Sequence, residues 1–365
     1  MKIECIKEKL SAALAKAEKI TSKNPTLPVL ACVVLEADSQ NLTIRSTNLD
    51  SAFEIEIPVK SSVPGKVAVP GMIFSSFINS LKEKSVTLET KEGNLLITTD
   101  HHQTTIKALS YEDFPTTPKV ESKNSFSVPA RAFLKALRSV SYSASISSVK
   151  PELASVYIYG DGDFLYFVST DSFRLAEKRL KLKEAKDVKP MVVPIKNVND
   201  IIKVFDDSEE DIKVSFEKNQ ISLSTKSMNF VSRLVDAPFP NYKDIIPKNP
   251  TTETTLLKQD LVDALKTLSV FSDKFNQANV KINPAKKSFI LASKSNDIGE
   301  SQSSVDAAAS GEPIDMNFNH RYIGECLQSI ESDALSLSFS GTTKPLVVRG
   351  VSDSSFTYLV MPMNR

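Results

Sequence analysis

The chain has 365 residues, 41% hydrophobic and 24% charged, with a net charge of +1. That length exceeds one ordinary core, and the absence of any run of about 18 apolar residues, or of an apolar block in the opening MKIECIKEKL, argues against a membrane helix or a leader. Cys5, Cys32 and Cys326 form neither a disulfide framework nor a zinc spacing, which favours a reducing cytoplasm, and the small net charge excludes a nucleic-acid binder unless charge is unevenly distributed.

In chain order, a first helix is expected over 7–20, with Leu10, Leu14 and Ala17 apolar and Lys9, Lys16 and Lys19 beside them. The β-rich stretch 31–38 follows. Val69-Pro70 announces a second helix over about 72–84, proline being tolerated where a helix begins. Residues 85–100 alternate as a hairpin, with His101-His102 at its turn. A polar, proline-bearing segment, 116–124, closes a first domain. The next helix spans 131–142, and 156–171 form strands turning at Asp161-Gly162-Asp163. Val193-Pro194 introduces a helix over 196–205, and 212–226 repeat the hairpin. After a second break at 247–254, helices are expected over 257–271 and 320–329, the latter capped by an asparagine of Asn317-Phe318-Asn319. Residues 335–350 give a third hairpin, and the polar stretch 293–310 reads as a mobile loop.

These elements recur. Leu109, Leu234 and Leu359 stand 125 residues apart, as do Phe114-Pro115 and Phe239-Pro240. One domain used three times is implied, at 1–119, 120–250 and 251–365, each α+β with antiparallel sheets and two helices. Three copies invite a curved or closed assembly.

Charge follows secondary structure. The six helical windows hold seven more basic than acidic residues, which leaves the remainder of the chain acidic. Arg131, Lys135 and Arg138 share one helix face, opposite Phe133, Leu134, Leu137 and Val140. A solvated amphipathic face explains one such helix; repetition suits a cationic wall around a threaded polyanion, held by its phosphates without sequence readout. Duplex is favoured over single strands, because no aromatic-rich platform for stacking bases is present.

Constellations for chemistry are sparse. His101-His102 lacks a third ligand nearby, and Asp161-Gly162-Asp163 lacks the rest of a calcium loop. No glycine-rich phosphate loop, nucleophile elbow or Cys-His arrangement is found, so no enzyme, metal or cofactor is expected. Two alternatives stay open: a metal-dependent phosphodiesterase using Asp161, Asp163 and Asp171, and a peptide-binding repeat scaffold that never meets DNA.

Four segments carry a resemblance: Pro25–Leu30 (PTLPVL), Thr170–Ala176 (TDSFRLA), Phe239–Pro250 (FPNYKDIIPKNP) and the closing Val360-Met361-Pro362-Met363. In order and spacing they make the chain resemble the bacterial DNA polymerase III β subunit family, the sliding clamps, along its whole length. The resemblance implies half of a six-domain ring: a head-to-tail homodimer closed on duplex DNA by a clamp loader, without catalytic activity. It also implies a cleft for linear motifs of the replicative polymerase and other partners, formed by Leu153, Thr170, Ser172, Arg174, Leu175, Pro240, Ile245, Asn319, Tyr322, Val360, Met361, Pro362 and Met363. For DNA it adds Lys23, Asn24, Lys150 and Lys196 to Lys9, Lys16, Arg131, Lys135 and Arg138; for the dimer seam it indicates Ile106, Val270 and Phe271. The chain departs from the family's pattern at Ser172-Phe173, where Gly-His is frequent, and at Asp244, where a basic residue is common.

Overall fold

A computed structural model describes residues 1–23, 27–118, 120, 124–183 and 185–363. Two compact units emerge. The first gathers Met1–Leu134 with Lys196–Asp236, the second Lys135–Ile195 with Ala237–Arg365.

In the first unit one sheet runs in the order Lys60–Val63, Lys2–Ile6, Ser85–Lys91, Asn94–Thr98, Gln103–Ile106. A larger sheet runs Ser125–Pro129, Asp211–Phe216, Gln220–Ser224, Met228–Arg233, Ser51–Pro58, Asn41–Thr47, Cys32–Ala37, Gly65–Pro70. Helix α1 (Lys7–Glu18) buries Leu10, Ala13, Leu14 and Ala17, and α2 (Gly71–Ser80) buries Phe74 and Ile78. Strand Gly65–Pro70 passes directly into α2 with Pro70 as its cap, a position that needs no backbone N–H. Helix α3 (Ala130–Ser141) follows Pro129 in the same way, as α4 (Ile195–Phe205) follows Pro194.

The second unit holds a sheet ordered Met191–Pro194, Ser155–Asp161, Phe164–Thr170, Arg174–Lys181, Phe356–Val360, Leu346–Gly350, Ala334–Phe339, Thr252–Leu257, Ala307–Gly311. A smaller one runs Gly299–Val305, Ser288–Ser295, Gln277–Asn283, Ile314–Asn319. Helices α5 (Lys258–Ser269) and α6 (His320–Cys326) bury Leu261, Leu265, Leu268 and Ile323. Asn319 caps α6, its side-chain oxygen accepting the N–H groups of Arg321 and Tyr322. At Gly160 an added methyl would lie 1.5 Å from the Ala185 carbonyl oxygen, so only glycine admits the short turn Ala185–Asp187 against that strand.

Every strand pair is antiparallel, and one junction occurs twice. Met228–Arg233 pairs with Ser51–Pro58, setting Phe230 opposite Phe53. Phe356–Val360 pairs with Arg174–Lys181, setting Leu359 opposite Leu175. Each joins a strand of one sequence repeat to a strand of the next, so the large sheets are continuous across repeats. The second junction is sealed by a cluster that includes Tyr159, Val168, Leu175, Tyr242, Val347 and Leu359.

Three expectations need correction. The 125-residue leucines are not equivalent positions: Leu359 lies inside a strand, Leu234 just beyond one, and Leu109 forms an isolated bridge with Ala68. The structural counterpart of Leu109 is Met363, which makes the matching bridge to Asn317. The longer turn between Ala334–Phe339 and Leu346–Gly350 displaces the last strand relative to the earlier repeats. Second, 293–310 is not a loop but the strands Gly299–Val305 and Ala307–Gly311 with the end of Ser288–Ser295. Its polar residues pair through the backbone, which needs no apolar side chains. Third, α2 ends at Ser80, leaving Lys82 and Lys84 outside. With α1 ending at Glu18 as well, the helical basic excess narrows to five, three of them on α3.

Candidate partner-binding cleft

The cleft residues gather in the second unit around a tight turn between two strands. Thr170 donates its hydroxyl to the Arg174 carbonyl at 2.6 Å and accepts the Ser172 N–H at 3.2 Å. The Asp171 carboxylate accepts the N–H groups of Phe173 and Arg174, both at 3.0 Å. These bonds hold Ser172 at φ +78°, a left-handed conformation costly for any residue but glycine. The turn thereby thrusts Phe173 outward, leaving it 62% exposed.

Arg174 is the hub. Its Nε donates to Asp171 at 3.0 Å, one terminal nitrogen to Glu325, and the other to the Tyr142 carbonyl at 2.7 Å. The guanidinium also lies 4.3 Å from the ring centre of Tyr322, whose helix Asn319 caps. Burial alone would lower its pKa, but Glu325 and Asp171 outweigh this and hold it above the ordinary arginine value. It is a fixed charge that orients Tyr322.

The chain end closes the other side. Met361 donates its N–H to the Phe173 carbonyl at 2.8 Å, and Met363 to the Asn317 carbonyl at 2.8 Å. Met361 is 38% exposed, whereas Val360, Leu175, Leu153 and Thr170 are buried and form the floor. Pro240 and Ile245 are exposed on a segment pinned by Phe239, which stacks on Tyr157 at 4.7 Å, and by buried Tyr242. Phe173 and Met361 are thus joined through the backbone, and Tyr322 is tied to the same turn through Arg174. Sequence reasoning missed Tyr142 and Glu325, which fix the hub; neither belongs to a recognisable motif.

The basic candidates divide. Arg131, Lys135 and Arg138 are all exposed while Phe133, Leu134, Leu137 and Val140 are buried, as the periodicity requires. Arg131 pairs with Glu209 at 2.5 Å, and Lys135 pairs with Glu331. Lys16 is largely covered, bound to Asp207 at 2.5 Å, so part of its charge serves the fold. Lys196 pairs with Asp50 at 3.4 Å. Lys9, Lys23 and Lys150 are exposed, and Asn24 lies outside the described residues. Of the seam candidates, Val270 is 64% exposed, while Ile106 is only 6% exposed and supports its edge strand from within. Phe271 lies beside Gly299, the first residue of another edge strand.

The phosphodiesterase reading gains no support. Asp171 is committed to its turn and to Arg174, and Asp161 pairs with Lys243 at 3.2 Å across from the Gly162 turn. Burial raises all three thiol pKa values, Cys32 to about 11 and Cys5 to about 12. Among the described residues no helix is long and apolar enough to cross a membrane.

Comparison with known proteins gives a consistent result. Family models of the DNA polymerase III beta subunit match in succession: the N-terminal domain at 1–118, the central domain at 127–241 and the C-terminal domain at 243–364. Curated relatives include the beta sliding clamp of Staphylococcus aureus, 27% identical over 355 residues and 94% of each chain. Similar solved structures include the DNA polymerase sliding clamp of Bacillus subtilis, with TM-score 0.96, 23% identity and coverage of 100% of this chain and 99% of that one. The DNA polymerase III beta subunit of Thermotoga maritima has TM-score 0.94 and 25% identity, with coverage of 100% and 99%.

Proposed function

The chain belongs to the family of bacterial DNA polymerase III β subunits, the β sliding clamps, and on that premise we propose how this particular sequence does the work of a clamp in DNA replication. Two protomers, each contributing domains 1–119, 120–250 and 251–365, close head to tail around duplex DNA. The ring acts in the cytoplasm as a processivity factor without catalysis. It is closed by a loader and tethers the polymerase and other proteins through the Phe173–Met361–Tyr322 cleft. Contacts to phosphate are weak and need no sequence readout, so a small net charge is no obstacle to a topological link. Arg131, Lys135 and Arg138 supply the most concentrated cationic face toward DNA, with Lys9, Lys23, Lys150 and Lys196 as further contacts.

The observation that carries ring closure is a junction used twice and left open once. Strand Gln103–Ile106, the counterpart of Met228–Arg233 and Phe356–Val360, ends its sheet without a further partner strand among the described residues. Gly299–Val305, the counterpart of Ser51–Pro58 and Arg174–Lys181, likewise ends its sheet. A closing heterologous contact between protomers satisfies both edges by repeating the same pairing. Carrying the two observed registers over sets Thr104 of one protomer opposite Ser301 of its partner, and Ile106 opposite Gly299 beside Phe271.

Loading the protein onto nicked circular and onto short open-ended duplex tests encirclement. Retention on the circle and rapid loss from the open duplex are expected. Equal retention on both overturns the reading. Molecular mass in solution and ring-shaped particles by electron microscopy test the dimer independently.

A further inference from the structure

Helix α3 has the most concentrated cationic face yet contains no acidic residue of its own, so a carboxylate that meets it comes from elsewhere in the chain. Two do. In the first unit Glu209, on the loop between α4 and strand Asp211–Phe216, reaches Arg131 at 2.5 Å. In the second unit Glu331, shortly before strand Ala334–Phe339, reaches Lys135. Both loops are fastened. Ser208 is buried and donates its N–H to the Phe205 carbonyl at 2.9 Å, while Asp207 beside it holds Lys16 at 2.5 Å. Glu331 donates its own N–H to the Asp353 carboxylate at 3.4 Å, and its carboxylate also lies 3.9 Å from the buried Lys178. The fold thus keeps each acid beside its cation.

These pairs differ in how open they are to a ligand. Lys16 keeps only 13% of its side chain exposed, so its pair with Asp207 is closed to a bulky polyanion. Arg131 is 77% exposed and Glu209 78%, and Lys135 and Glu331 are exposed as well. Such solvent-bathed pairs are weak, so a phosphate can take the cation while the carboxylate stays within a few ångströms. A cation delivered together with a carboxylate brings little net charge to the duplex. It therefore releases few of the counterions whose release drives binding, and the contact depends less on salt than a bare cation's would.

We infer that Glu209 and Glu331 are built-in competitors of phosphate, which share Arg131 and Lys135 with DNA and set how loosely the ring holds the duplex along which it slides. The inference rests on reading α3 as the face turned to DNA. It gives the two acids a role opposite to that of the cations: they weaken contact with the polyanion and flatten its response to salt, so that movement along the duplex breaks no strong bond.

The test uses the full-length protein and a fluorescent open-ended duplex of about 30 base pairs, titrated at several salt concentrations from about 50 mM upward. Glu209→Gln and Glu331→Gln are each expected to steepen the fall of log K with log salt by about 0.9 for every uncovered cation that meets a phosphate. The double variant should bind about tenfold tighter at the lowest salt, the gap closing as salt rises. In an Arg131→Ala background Glu209→Gln is expected to have no effect, because the cation it would uncover is gone. Glu253→Gln removes an equal charge from an exposed strand position and should leave the slope unchanged. An unaltered slope in the double variant, an equal response to Glu253→Gln, or an undiminished effect of Glu209→Gln in the Arg131→Ala background overturns the inference. Binding that weakens in Arg131→Ala and Lys135→Ala while ignoring both glutamine variants overturns the inference alone and spares the DNA face. Binding that ignores Arg131→Ala and Lys135→Ala overturns the reading of α3 as that face, and this inference with it.

Discussion

Tyr242 donates its phenolic hydrogen to the Glu177 carboxylate across 2.6 Å, and both side chains are buried. The Tyr159 hydroxyl, 2.6 Å from that of Tyr242, completes a relay that fastens the segment after Phe239 to strand Arg174–Lys181. Burial and the Glu177 charge push the Tyr242 pKa far up, so its proton stays in place at any physiological pH. Tyr242→Phe leaves Glu177 buried without this donor, and a loss of about 2 kcal/mol is expected in denaturant titrations. Limited proteolysis should show cleavage near Asn241 rising in the variant; an unchanged pattern would detach this relay from the segment's position.

Arg174→Lys keeps the charge but cannot serve Asp171, Glu325 and the Tyr142 carbonyl together. Tyr322 then loses the flat cation it lies against. Affinity for an apolar clamp-binding peptide should fall about tenfold in a fluorescence titration, while the dimer mass is unchanged.

The register carried over to the protomer seam is tested by pairing Thr104→Cys with Ser301→Cys. An intermolecular disulfide is expected on mild oxidation, and shifting the second cysteine to Ser303 should weaken it markedly, since a bridge needs Cα atoms within about 7 Å. The native thiols are buried and will not compete. Equal yields at both positions would refute the register.

His320 has its pKa lowered, first by burial and then by Arg321. The unfolded chain therefore binds the proton more readily. Stability is unaffected above the unfolded value of about 6.5 and declines as pH drops below it toward the folded-state value. His320→Gln should shrink the difference in melting temperature between pH 7.5 and pH 5 by roughly 2 °C. No change would mean that His320 is hydrated in its site.

Reversing Arg131, Lys135 and Arg138 to glutamate should abolish stimulation of polymerase processivity yet leave peptide binding near wild type. The melting temperature should fall only slightly, because the lost pairs with Glu209 and Glu331 are exposed and such pairs are worth about 1 kcal/mol or less.

The helices were legible because α3 repeats its apolar face at Phe133, Leu134, Leu137 and Val140, and the hairpins because alternation and turn residues coincide. The strands in 293–310 were hidden, since their stability comes from backbone pairing that leaves little trace in side chains. The leucine period misled in detail because a few extra residues in one turn shift every later position. In the cleft, the turn around Asp171 could be found by resemblance, but the Arg174–Glu325 contact joins residues 151 apart and has no local signature.

The middle third of this chain lends half its strands to each neighbour. It is a splice more than a bead on a string. Excised alone, residues 120–250 would expose two raw ladders of amide and carbonyl groups, the kind of surface on which chains aggregate. In the intact chain both ladders are covered, one by Ser51–Pro58 of the first third and the other by Phe356–Val360 of the last.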